Sequence, residues 1–157
     1  MNVSANDFSD PARLDLDNAC LPEPGLMVGG CPSDRDLARL KRAGFKTVLD
    51  LRESKEWSGD DFAGRVKQAG LRFLQLPVSG LESVDESLTR QFWAYWNDAR
   101  LKPMLVHCAS GNRVGAMLAL AARRHGKVDV EQAIDSGLAA GMKAAEPIIR
   151  KTLGQSG

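Results

Sequence analysis

Cysteine and histidine are scarce in this chain, and the scarcity limits what it can be. There are three cysteines, Cys20, Cys31 and Cys108, an odd number with no Cys-x-x-Cys pair. That argues against a disulfide framework and for a reducing, cytoplasmic setting. The two histidines, His107 and His125, are not paired at a ligand spacing, so no metal site is expected and no cofactor is implied. No apolar run approaches the ~20 residues of a membrane span. Met1 to Asp17 is polar and acidic, without the apolar core of a secretory signal. Charge of one sign is lacking too: 21 Lys and Arg face 20 Asp and Glu. Such a balance offers no basic face for nucleic acid. The expectation is a cytoplasmic protein with no nucleic-acid or membrane partner. Oligomeric state is not legible.

The chain has 157 residues, 43% apolar and 26% charged, enough for one domain with its own core. An N-terminal arm is expected over 1–20 and a single domain over 21–157. Leu26-Met27-Val28 reads as a short strand ended by Gly29-Gly30. Ser33 is placed to cap a helix over Asp34–Ala43, with Asp36 in the capping-box position and Gly44 at its end. Phe45–Leu51 suits a strand buried on both faces, followed by a charged loop from Arg52 to Glu56. A helix over Asp60–Ala69, a strand over Leu71–Leu76 and a helix over Asp85–Ala99 come next. The aromatic residues of the last, Phe92, Trp93, Tyr95 and Trp96, are at spacings that serve core packing. Asp129 can cap a helix over Val130–Ala139, and Ala144–Leu153 closes the chain as a helix. Strands alternating with helices predict an α/β fold, with a mostly parallel central sheet of about four strands flanked by helices.

One stretch carries chemistry. Met104-Leu105-Val106 reads as a buried strand that His107-Cys108 closes. Ala109-Ser110-Gly111-Asn112 form a short loop, Arg113 follows, and a helix is expected from Ala116. Loop N–H groups before a helix N-terminus favour an anion, and they favour the thiolate form of Cys108. Arg113 adds a planar fork suited to an oxyanion. Arg52 lies beyond the carboxyl end of its strand, where open α/β sheets bind ligands. It reads equally well as a second anion contact or as a partner of Asp50.

The His-Cys loop and its arginine resemble the signature of cysteine-dependent tyrosine and dual-specificity phosphatases. Those enzymes place five residues between Cys and Arg, whereas this chain has four, Ala109 to Asn112. Four resembles the loop of rhodanese-type sulfurtransferases. The opening Gly29-Gly30-Cys31-Pro32-Ser33 and the strand end Asp50-Leu51-Arg52 resemble the beta-lactamase-hydrolase-like protein phosphatases. That resemblance covers Leu21 to Thr152. It implies a cysteine-phosphatase-like fold, Cys108 as nucleophile and Arg113 as phosphoryl clamp. It further implies that His107 supports the loop. The candidate anion contacts are then Ala109, Ser110, Gly111 and Asn112, with Arg52 from its strand-end position, and Asp50 is a candidate support for the loop. The substrate would be a phosphorylated small molecule or protein, phosphotyrosine among them.

The general acid of the dual-specificity phosphatases would fall at Ser79 or Gly80, neither of which is acidic. Glu82 and Asp85 are the nearest carboxyl groups. Val114 stands where a hydroxyl would assist thiolate departure. Three readings remain open from the residues: a phosphatase, a sulfurtransferase carrying a Cys108 persulfide, and a non-catalytic anion-binding module.

Overall fold

The computed structural model describes residues 14–155. Most of the arm expected over 1–20 lies outside these residues. Five strands, each four residues long, form one sheet: β1 (Cys20–Glu23), β2 (Leu26–Gly29), β3 (Thr47–Asp50), β4 (Arg72–Gln75) and β5 (Met104–His107). Their order is β1-β2-β5-β3-β4, with β1 antiparallel to β2 and all other pairs parallel. The mostly parallel α/β sheet is as expected, with β1 as an additional edge strand. It was hidden because Pro22 interrupts its pattern, which an edge strand tolerates. Pro24-Gly25 turns it into β2, with Gly25 at φ 82°.

β2, β3 and β5 are buried at every position, so their sequences run apolar without alternation. Their side chains nevertheless alternate between two cores. Met27, Val48 and Leu105 face α1 (Asp34–Arg42) and α2 (Phe62–Gln68). Leu26, Val28, Leu49, Met104 and Val106 face the opposite side. There α3 (Glu86–Trp96), α4 (Asn112–His125), α5 (Val130–Ala139) and α6 (Glu146–Gln155) pack. Phe92 and Trp96 of α3 are buried and stacked at 5.5 Å, in the packing role their spacing suggested.

The Ser33–Asp36 capping box of α1 and the Asp129–Gln132 box of α5 are both formed, contacts typically worth about 1 kcal/mol each. α4 starts at Asn112, earlier than the expected Ala116. Its residues from Val114 to Ala122 are all buried, so packing on three sides overrides the weak helix propensity of Gly115. A Cβ on Gly115 would lie 2.5 Å from the Gly137 carbonyl oxygen; the two glycines let α4 and α5 touch backbone to backbone.

Candidate active site

The site begins where β5 runs out. The Cys108 N–H donates to the Gly29 carbonyl at 3.3 Å, and Ser110 forms an antiparallel bridge with Gly30. A Cβ on Gly30 would lie 2.8 Å from the Ala109 carbonyl oxygen. The Gly29-Gly30 end of β2 thus holds the Cys108 loop by close backbone contact; a side chain at Gly30 would meet that loop, and one at Gly29 would meet Leu16 at 3.1 Å. Gly111, at φ 87°, turns the chain into α4. Its N–H donates to Cys108 Sγ at 3.0 Å, a contact that strengthens with negative charge on sulfur. Cys108 itself is 1% exposed. The first turn of α4 contains no acidic residue, so its positive end faces the loop uncompensated.

Ala109 and Ser110 are exposed at the mouth of the loop. The Asn112 side chain is committed elsewhere: its Oδ1 accepts from the backbone N–H of Lys143 at 2.7 Å and of Ala145 at 3.4 Å. It ties the start of α4 to the segment entering α6. Asn18 donates to the Gly141 carbonyl at 2.7 Å from beside Gly111, so the loop is supported from the N-terminal side as well.

Arg113 occupies the first turn of α4. Its guanidinium meets Glu56 end-on, at 3.1 Å from Nη1 and 2.9 Å from Nη2. Nη1 also donates to the carbonyls of Leu51 at 3.3 Å and Val78 at 3.2 Å. The hydrogen bonds from Arg113 hold the Glu56 carboxyl below the usual carboxylate range, aided by the Glu53 N–H. The Nε–H and the second Nη2 N–H meet no acceptor among the described residues. They form the side edge of the fork, a geometry that fits two oxygens of one anion. Nothing in the sequence singled out Glu56 beyond its place in the charged loop after β3.

Asp50, Arg52 and His107 form a second, buried layer. Asp50 is fully buried and accepts from Arg52 Nε at 3.1 Å, Arg52 Nη2 at 3.0 Å, the Arg52 backbone N–H at 2.8 Å and Trp57 Nε1 at 3.0 Å. Arg52 is 8% exposed, and its guanidinium lies over the Phe62 ring at 4.9 Å. The structure therefore places Arg52 as the partner of Asp50, with little of it open to solvent.

The His107 ring is fully buried, edge-on to Phe62 at 5.2 Å. Its Nδ1 lies 3.4 Å from the Cys108 carbonyl oxygen, and its Nε2 has no hydrogen-bond partner among the described residues, with Asp50 3.9 Å away. Burial pushes its pKa from 6.5 down to about 4, so the ring is neutral near pH 7.

The two candidate acids stand on the strip after β4. Glu82 is exposed in the 3-10 turn Leu81–Ser83, which packs on α4, and its carboxylate folds back over Gly80. Asp85 is the N-cap of α3, accepting from the Leu88 N–H at 2.8 Å. A polar cleft of about 350 Å³, with Ser79, Ser83, Asp85 and Gln91 in its lining, opens next to Val78, whose carbonyl holds Arg113. Among the described residues, no group of His, Cys, Asp or Glu could hold a metal ion, and no helix is long and apolar enough to cross a membrane.

A family model described as "DSP-PTPase phosphatase fused to NAD+ Kinase" matches residues 15–147. No curated protein matches the chain. Solved structures share its fold. TpbA of P. aeruginosa is 23% identical, with a TM-score of 0.68 over 94% of this chain and 87% of that one. A related structure of TpbA holds phosphotyrosine. A DUF442 protein of Shewanella putrefaciens CN-32 is 20% identical, with a TM-score of 0.65 over 98% of each chain. The nma1982 protein of Neisseria meningitidis Z2491 is 21% identical, with a TM-score of 0.70 over 89% of this chain and 99% of that one.

Proposed function

The chain belongs to the family of DSP-PTPase phosphatases fused to NAD+ kinase, and from that membership as a cysteine-dependent phosphatase we propose how its residues divide the work. Cys108 is the nucleophile and Arg113 the phosphoryl clamp. The observation that carries this is the Gly111 N–H on a buried Cys108 sulfur at the start of α4, one turn from an arginine with a free edge.

The Cys108 thiolate attacks phosphorus of a phosphate monoester. The S–P bond forms as the ester P–O bond breaks, and the departing oxygen takes a proton from water or from a nearby carboxylic acid. Water then attacks phosphorus, the S–P bond breaks, inorganic phosphate leaves and the thiolate returns. The loop amides and the Nε/Nη2 edge of Arg113 face the charge that grows on the phosphoryl oxygens. Such preorganised donors act more strongly in a water-poor site. Asp50, Arg52 and His107 fix the strand ends that carry the loop, and neutral His107 takes no proton from the nucleophile.

Glu82 and Asp85 are the candidate acids. Both face solvent, and Asp85 already serves as a helix cap, so substrates whose leaving oxygen needs little protonation are favoured. Aryl phosphates, phosphotyrosine included, meet that condition; the bound phosphotyrosine of TpbA accords with it.

The test is phosphate release from an aryl phosphate by wild type and Cys108→Ser, with thiosulfate and cyanide assayed in parallel. Release that depends on Cys108 is expected. Undiminished release from Cys108→Ser would overturn the assignment, and thiocyanate formation in place of phosphate release would assign Cys108 to sulfur transfer.

A further inference from the structure

The opposite end of the sheet carries a second site. Lys46 precedes β3 and Arg72 opens β4, at the strand ends remote from Cys108; five strand steps separate Lys46 from Leu51, roughly 15 Å. There a cavity of about 390 Å³ is lined by Lys41, Lys46, Arg72 and Arg100 together with Gly44 and Gly70, with no carboxylate in the lining among the described residues. Its volume lies within the roughly 300–1,000 Å³ of small-molecule sites.

The cavity has a built geometry. α1 and α2 both end against it, each in a left-handed glycine, Gly44 at φ 92° and Gly70 at φ 88°. The missing side chain of Gly70 leaves room for Lys41, whose Cε lies 3.0 Å from where a Cβ would stand. The Lys41 ammonium is thereby carried from the end of one helix to the end of the other. Charge at a helix C-terminus has an ordinary reason, the negative end of the dipole, and that reason covers Lys41. It does not cover Lys46, which precedes β3, or Arg72, which opens β4.

Arg100 is satisfied by Asp98 at 3.0 Å. Among the described residues no carboxylate pairs with Lys41, Lys46 or Arg72. Lys41 and Lys46 have no carboxylate partner among the described residues, and Arg72 feels the Asp98 carboxylate only through space; like charges around one cavity repel one another. Among the described residues no acidic side chain lines the cavity. The only ring in the lining, Phe45, is buried, so there is no aromatic face for a base to stack on.

We propose that this cavity binds a small, multiply phosphorylated molecule, at a site separate from the Cys108 loop. Several phosphate groups are favoured by charge: four cations line one cavity, and Asp98 balances one of them, whereas a single phosphate group carries only about −1.5 to −2 near pH 7. The polar walls match a ligand that is mostly charge. The inference does not depend on the chemistry assigned to Cys108.

The experiment is a titration of the full chain with sodium tripolyphosphate, followed by backbone amide NMR shifts, with orthophosphate as the second arm. Saturable shifts are expected at Gly44, Lys46, Gly70 and Arg72, with tripolyphosphate at least roughly tenfold tighter than orthophosphate and weaker as salt rises. The double variant Lys46→Ala/Arg72→Ala alters two exposed side chains. It should lose tripolyphosphate affinity at this site by roughly tenfold or more, with aryl phosphate turnover unchanged. Silence of these amides at millimolar tripolyphosphate would overturn the proposal. So would shifts confined to Ser110 and Gly111, equal affinity for the two anions, or undiminished affinity in the double variant.

Discussion

Glu56 lies 57 positions from Arg113, yet its carboxylate decides which edge of that guanidinium can face a substrate. Taking the end of the fork, it leaves the side free. Glu56→Ala leaves Arg113 held only through Nη1 by the Leu51 and Val78 carbonyls and should lower kcat/KM for an aryl phosphate by roughly ten- to a hundredfold, as displaced catalytic groups do. Glu56→Gln, which keeps an acceptor for Arg113, should recover part of the loss. Equal activity in all three proteins would show that Glu56 does not orient the clamp. His107 gives a separate prediction, on stability. Its folded pKa of about 4 lies below the ordinary 6.5, so as pH falls the unfolded chain takes up a proton first. The stabilisation is full above pH 6.5 and is lost progressively toward pH 4, a change of about 3 kcal/mol for the two and a half units. Urea unfolding across that range should show a slope that flattens in His107→Asn; an identical slope in the variant would count against a buried neutral ring. The positions of Asp50, His107 and Cys108 at strand ends and of Arg113 just past the loop were legible in sequence, because strand end, loop and helix follow one another along the chain. Glu56 was not, because its role comes from a tertiary contact that no local spacing encodes.

Among the elements, α4 joins the chemistry to the core. Its first turn carries Arg113, and the same turn meets α5 through Gly115 and Gly137. Gly115→Ala would force a methyl group into backbone, and overpacking of this kind typically costs 1–3 kcal/mol. A lower thermal midpoint is expected, together with reduced turnover, since the Arg113 turn must shift; an unchanged midpoint would mean that the helices separate freely. The strip between β4 and α3 is a second test. Glu82→Ala and Asp85→Ala should each change turnover of a good leaving group by less than about threefold, well under the ~10² of a true general acid. A loss of ~10²-fold or more, confined to poor leaving groups such as alkyl phosphates, would instead make that residue the acid. Helix caps at Ser33 and Asp129 could be read from sequence because capping is local chemistry; Asp85, read as the first helical residue, proves to be the cap itself. The start of α4 could not: Gly111 and Gly115 argue locally against a helix, and only burial against α3, α5 and α6 pays for it.

At the scale of the whole molecule, the parallel strands separate two kinds of surface. The carboxyl end of β5 presents a buried sulfur, a helix N-terminus and an arginine with a free edge, whereas the other end presents a cluster of lysine and arginine around one cavity. The α/β class followed from strand and helix alternation, and the parallel core followed from apolar runs without period. The edge strand β1 lay in a polar, proline-interrupted stretch whose pairing depends on β2. The central claim is that phosphate passes through Cys108. It is tested most directly by rapid acid quenching during turnover of an aryl phosphate, followed by peptide mass spectrometry. A phosphate adduct on the Cys108 peptide is expected in wild type, absent in Cys108→Ser and longer-lived at lower water activity. Phosphate release without any adduct on Cys108, or a persulfide sulfur there in its place after incubation with thiosulfate alongside no phosphate release, would contradict the account.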